Sequence, residues 1–140
     1  MMDTFKKPLE ELKDYSDLIE SLKKDSGFFA VSGCIDAEKP HLIYGIGYDV
    51  PIKLIVTFDE MRAKQIYEGY QFFDENTLYY PARDLLFYQS DIHSNALTRE
   101  RLSVVQALIE HRPVTVVTTM DALMNRVPPL SSYERGIFTI

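Results

Sequence analysis

Phe28–Lys39 reads FFAVSGCIDAEK, and the reading of this stretch decides the fold. Phe28 to Ile35 is a short apolar run of strand character, as expected of a strand covered on both faces. With the residues that follow, it has the layout of a strand running into a phosphate-binding loop and a helix start. Such a loop needs Gly, four residues, then Gly-Lys-Ser/Thr. Gly33 and Lys39 stand in their places, but Glu38 occupies the second glycine position and Pro40 the hydroxyl position. Glycine there lets backbone amides close around a phosphate. Glu38 instead brings bulk and negative charge, and Pro40 removes both an amide donor and the hydroxyl that magnesium needs. Lys39 alone does not restore the site. The expectation is a disabled loop kept for the sheet it anchors, with Phe28 to Ile35, including Cys34, buried as core.

Working outward, Lys39–Ile46 predicts a short helix with Leu42, Ile43 and Ile46 inward and Pro40 in its first turn. Ile52–Phe58 predicts a second strand. Thr57 and Glu60 predict a capping box opening a helix that turns Met61, Ile66, Tyr70 and Phe73 inward. Leu78-Tyr79-Tyr80 is a third strand. Residues 82–97 lack periodicity and predict a long loop. Thr98–His111 predicts a helix with Thr98 as N-cap, a stripe of Leu102, Val105, Leu108 and Ile109, and Pro113 as its stop. Val114–Thr119 is the fourth strand, and Thr119 caps a short helix through Met124 that Pro128-Pro129 ends. Upstream, Leu9, Leu12, Tyr15, Leu18, Ile19 and Leu22 mark one amphipathic helix over residues 8–24, with Pro8 in its first turn.

This alternation predicts an α/β fold: a three-layer, mainly parallel sheet with helices on both faces. Residues 1–27 form a leading helix and turn, and 28–140 the α/β domain. Gly33–Lys39, Thr57–Asp59, Pro81–Asp91 and Thr118–Thr119 should gather at the carboxyl ends of the strands, where ligands bind in such sheets. The apolar ending at Ile140 predicts that the chain is a piece of a longer protein.

Bulk properties narrow the function. The chain has 140 residues, a net charge of −6 and a pI near 5.0, which argues against a nucleic-acid binder acting alone. A single cysteine excludes an internal disulfide framework and suits a reducing cytoplasm. No apolar run approaches the roughly 18 residues of a membrane span. Cys34, His41, His93 and His111 are too scattered for a zinc site. Asp91-x-His93 fits a hydrogen-bonded loop anchor better than a pair of ligands. Tyr79, Tyr80, Arg83, Phe87 and Tyr88 form an aromatic–basic group. It is either a platform for a neighbouring domain or single-stranded DNA, or a set packed under the sheet edge. Arg99, Arg101, Arg112 and Arg126 are candidates for pairing with acidic residues of an adjacent domain.

The order and spacing of several short blocks resemble the N-terminal domain of the bacterial transcription-repair coupling factor. The blocks are Tyr79-Tyr80-Pro81-Ala82-Arg83-Asp84, Asp91-Ile92-His93, Arg101-Leu102 with Leu108, and Val116 through Pro129 (VVTTMDALMNRVPP), joined by Phe28–Lys39 and Ile55–Ala63. The resemblance spans roughly residues 5–140, and the family's first domain is similar to that of the excision-nuclease B subunit. It implies a helicase-like nucleotide-binding core with a degenerate loop (Gly33, Glu38, Lys39, Pro40), no catalytic residue, and no cofactor or metal of its own. In such a family ATP and magnesium are used by later domains. The parent would be an ATP-dependent DNA translocase in the cytoplasm that displaces stalled RNA polymerase and recruits nucleotide excision repair. Its partners would be its own later domains, RNA polymerase, the excision-nuclease A subunit and double-stranded DNA, with no membrane. The B subunit's DNA-clamping β-hairpin does not carry over, because only Leu85–Leu97 fills that interval. The expected role is a non-catalytic module that positions the adjacent repair-recruitment domain, with Tyr80, Arg83, Tyr88, Arg101 and Arg126 as candidate docking surface. The alternatives are a free-standing protein-binding adaptor and a nucleotide-binding protein with an aberrant loop.

Overall fold

The computed structural model describes residues 3–24, 26–82, 91–127 and 129. Three parallel strands, β1 (Ile52–Thr57), β2 (Thr77–Tyr80) and β3 (Val114–Thr119), form an open sheet in the order β1-β3-β2. The central strand is β3, buried along its whole length. Its β-branched residues suit that place, because a strand covered on both faces needs stiff apolar or hydrogen-bonded side chains on each. On one face Val117 packs with Ala63 and Ile66 of helix α4 (Glu60–Gln71) and with Tyr79. On the other, Val114 and Val116 pack with Tyr80, with Val104 and Ala107 of helix α5 (Asp91–Ile109), and with Ala122 of helix α6 (Met120–Met124). The α/β class and the parallel sheet with helices on both faces therefore stand as expected.

The strand expected at Phe28–Ile35 does not form. Residues 26–35 are irregular and, apart from the half-buried Cys34, exposed, with Phe28 entirely so. Gly33 adopts a positive φ of 84°, a left-handed backbone that interrupts an extended run. A strand also gains its ladder energy only beside a partner edge, so apolar composition alone does not make one. Phe28 to Ile35 is thus not core, and the Cys34 Sγ only donates to the neighbouring Ile35 carbonyl.

The N-terminal region is two helices, α1 (Asp3–Glu10) and α2 (Lys13–Lys24), rather than one. Pro8 lies inside α1, not in a first turn. It lacks the N–H that would continue the ladder, and the chain tightens into a Leu12-to-Leu9 turn before restarting. Both helices lean on α3 (Lys39–Ile46), whose bounds and early Pro40 match the sequence expectation. Gly45 is the contact point: the Tyr15 hydroxyl donates to its carbonyl at 2.9 Å, and a Cβ there would run into Leu9 Cδ1. His41 stacks on Phe73 and its Nε2 lies 2.6 Å from the Phe5 carbonyl oxygen.

Two further expectations change. Helix α5 begins at Asp91, so Thr98 lies within it and Asp91 and His93 belong to a helix rather than to a loop. The stretch 91–95 carries too few apolar residues to show a helical period, which hid the start of the helix. The N-cap of α4 is Asp59, whose carboxylate accepts from the Arg62 amide at 2.7 Å, while the Thr57 hydroxyl donates to the Asp59 carbonyl. Met61 consequently turns out to solvent, whereas Ile66 and Tyr70 turn in as expected. Thr119 caps α6 as predicted, accepting from the Ala122 amide at 3.2 Å.

Candidate functional site

The carboxyl ends of the strands are where an open α/β sheet offers a ligand site, and here they are knitted together by the protein's own groups. The Thr118 hydroxyl donates to the Tyr80 carbonyl at 2.8 Å. Arg101, on α5, is 9% exposed. One of its nitrogens donates to the Pro81 carbonyl at 2.6 Å and another to the Tyr80 hydroxyl at 2.5 Å, and its guanidinium carbon stands 4.1 Å from the centre of the Tyr80 ring. A buried arginine needs such partners, because an unpaired buried charge is strongly unfavourable. Of the candidate docking residues, Tyr80 and Arg101 are thus brought together inside the molecule. Arg126 is exposed, and Arg83 and Tyr88 fall outside the described residues.

The loop before α3 is closed by a second set of contacts. Asp36 accepts from Lys39 Nζ at 2.6 Å and from Arg62 at 2.7 Å. The hydrogen bond from Lys39, then the charge of Arg62, hold the Asp36 carboxyl below its ordinary range. The lysine that would meet a phosphate is therefore on a carboxylate, and Glu38 sits at the N-cap of α3 without a capping hydrogen bond. Among the described residues, no group of three or more His, Cys, Asp and Glu could hold a metal ion. No helix among them is long and apolar enough to cross a membrane.

At the opposite end of the sheet lies a polar cluster that the sequence did not reveal. Asp74 accepts from the Thr115 hydroxyl at 2.8 Å and pairs with Lys53 at 3.2 Å, with both charged side chains largely covered. Burial raises the Asp74 carboxyl, but the Thr115 and Asn76 hydrogen bonds and the Lys53 charge outweigh it and leave the value lowered. Beside it the Tyr70 hydroxyl is buried without a hydrogen-bond partner of good geometry among the described residues. Burial pushes Tyr70 up to about 12, and it does the same to Tyr79 beneath α4. Both phenols therefore stay protonated near neutral pH.

An apolar groove of about 650 Å³ lies on the α5 face of the sheet. Its floor is Ile52 and Leu54 of β1 with Val116, and its walls include Val105, Leu108 and Ile109 of α5 and Leu123 and Val127. Helix α5 covers β2 and β3 but not β1, so Leu54 stays 57% exposed. The expected α5 stripe therefore lies differently: Arg101, Val104 and Ala107 enter the core, whereas Val105, Leu108 and Ile109 face this groove and Leu102 is exposed. A legible signal was β1 itself, an apolar run suited to a strand covered on both faces but placed at a sheet edge.

No protein-family model, curated protein or solved structure matches the chain.

Proposed function

We propose that the chain is a non-catalytic structural module of a transcription-repair coupling factor, built on a helicase-like nucleotide-binding core whose loop no longer takes nucleotide. In this reading it positions the adjacent repair-recruitment domain in a cytoplasmic, ATP-driven DNA translocase whose nucleotide chemistry occurs in later domains. The observation that carries it is the Lys39–Asp36–Arg62 contact next to Glu38. The one cation left from a phosphate loop is neutralised, and a carboxylate stands where a backbone cradle is required. The sequence blocks around Tyr79–Asp84 and Val116–Pro129 supply the family. The acidic balance of −6 agrees with a module that contacts protein rather than DNA.

Isothermal titration of the chain with ATP and magnesium tests the reading. No binding heat is expected up to millimolar nucleotide. Micromolar binding that disappears in Lys39→Ala would replace it with the nucleotide-binding alternative. The adaptor alternative has one observation in its favour, the open apolar groove. Strong retention of the excision-nuclease A subunit by this chain alone, abolished by Leu108→Asp, would favour it. The module reading expects weak retention, unchanged by that substitution.

A further inference from the structure

Lys39 and Arg62 belong to different helices, α3 and α4, yet they meet at one atom. Lys39 Nζ lies 2.6 Å and Arg62 Nη2 2.7 Å from the same oxygen of Asp36, Oδ1. A lone surface ion pair counts for little, but this arrangement differs from one in two respects. The Arg62 side chain is largely covered, and its other terminal nitrogen donates to Gln65 Oε1 at 3.4 Å, so the guanidinium is oriented from its own helix. The hydrogen bond from Lys39 and then the charges of Arg62 and Lys39 hold the Asp36 carboxyl below its ordinary range, and among the described residues no carboxylate acts against them. Without Asp36, two cations would face one point in space and repel each other. Lysine and arginine nitrogens converging on one oxygen are the donor set that a tetrahedral oxyanion takes. The Lys39 and Asp36 side chains are both exposed, so an ion from solution can reach that point.

We propose that Lys39 and Arg62 form an oxyanion site and that the Asp36 carboxylate is its built-in occupant, which shuts out inorganic phosphate and phosphate monoesters. The inference rests on the reading of this loop as one that no longer takes nucleotide, and it names the group that closes it. Asp36 precedes Lys39 by three positions, so it competes as a tethered ligand. A short tether holds its ligand at an effective concentration on the order of millimolar, and a free phosphate has to outcompete it. Pro40 offers neither an amide donor nor a hydroxyl. The ligand that fits once the carboxylate is gone is therefore the free oxyanion rather than a magnesium nucleotide. The contact also ties the irregular stretch before α3 to the first turn of α4, so the same carboxylate that empties the loop of ligand holds it in place.

Titration of the whole chain with sodium phosphate, followed by amide chemical shifts at an ionic strength held constant with NaCl, tests it. Asp36→Ala should show saturable shifts around residues 36–39 and 60–64, with half-saturation at least tenfold lower than in the parent. Asp36→Glu, which keeps a carboxylate, should behave as the parent. Adding Lys39→Ala or Arg62→Ala to Asp36→Ala should abolish the response. Asp36→Asn, close to aspartate in size, repeats the measurement should the alanine variant fold poorly. A folded Asp36→Ala or Asp36→Asn without saturable shifts up to about 50 mM phosphate would overturn the proposal. So would equal affinity in parent and variant, or binding that survives the loss of either cation. Micromolar, magnesium-dependent ATP binding by Asp36→Ala, lost on adding Lys39→Ala, would support the built-in occupant while removing the reading of a loop that has lost its nucleotide.

Discussion

Asp74 shows how a single carboxylate ties three segments together. It joins the turn after α4 to β1 through Lys53 and to β3 through Thr115. Its folded pKa lies below the unfolded value of about 3.9. Folding thus favours the ionised form. The stabilisation is fully present above about pH 4 and is lost as pH falls through the lower folded value. Asp74→Asn should cost about 1–3 kcal/mol at pH 7, since it leaves Lys53 facing a neutral amide in a largely covered site. The penalty should shrink as pH falls through the folded value, where the parent's carboxyl takes up its proton as well. Urea unfolding of both proteins at pH 7 and pH 2 measures the difference. Nothing in the local sequence marks Asp74, which sits in an ordinary turn. Its partners lie 21 and 41 positions away in the chain, and only the sheet register brings them together.

The helices divide by how local their determinants are. Helices α3 and α6 could be placed from sequence because Pro40 and Thr119 act within their own first turns. The start of α5 could not, because Asp91–Asn95 has no apolar rhythm. The split between α1 and α2 was hidden because Pro8 fits two helical positions, and packing decides between them. That packing is narrow at one point. Gly45 touches Leu9 and Tyr15, so Gly45→Ala must displace the Leu9 side chain and crowd the Tyr15 ring, the two side chains that seat α1 and α2 on α3. The expected cost is about 1–3 kcal/mol, typical of overpacking, although alanine is the better helix former. A lower melting temperature, with faster amide exchange confined to α1 and α2, would show it. An alanine variant as stable as the parent would mean that these helices are only loosely held.

At the scale of the whole molecule, three of four expected strands form, all parallel, because Val114–Thr119 is apolar or β-branched on both faces and recruits a neighbour on each side. The missing strand was misjudged for a physical reason: a run such as FFAVSGCI states what it would do beside a partner, not whether one is there. The candidate site divides in the same way. The defects at Glu38 and Pro40 were legible as residue types. The pairing of Lys39 with Asp36, the burial of Arg101 and the open groove depend on contacts across the fold.

Arg101 has a further consequence for the connection between β2 and α5. Its hydrogen bonds to the Pro81 carbonyl and the Tyr80 hydroxyl pin the end of the strand directly to the helix. The two elements are thus held at a fixed spacing by a direct clamp. Arg101→Ala should therefore lower stability by about 1–3 kcal/mol in urea unfolding, since it leaves the Pro81 carbonyl and the Tyr80 hydroxyl without their donor. On this geometry Arg101 acts as a rivet: strand and helix keep their spacing through one side chain rather than through the chain that joins them.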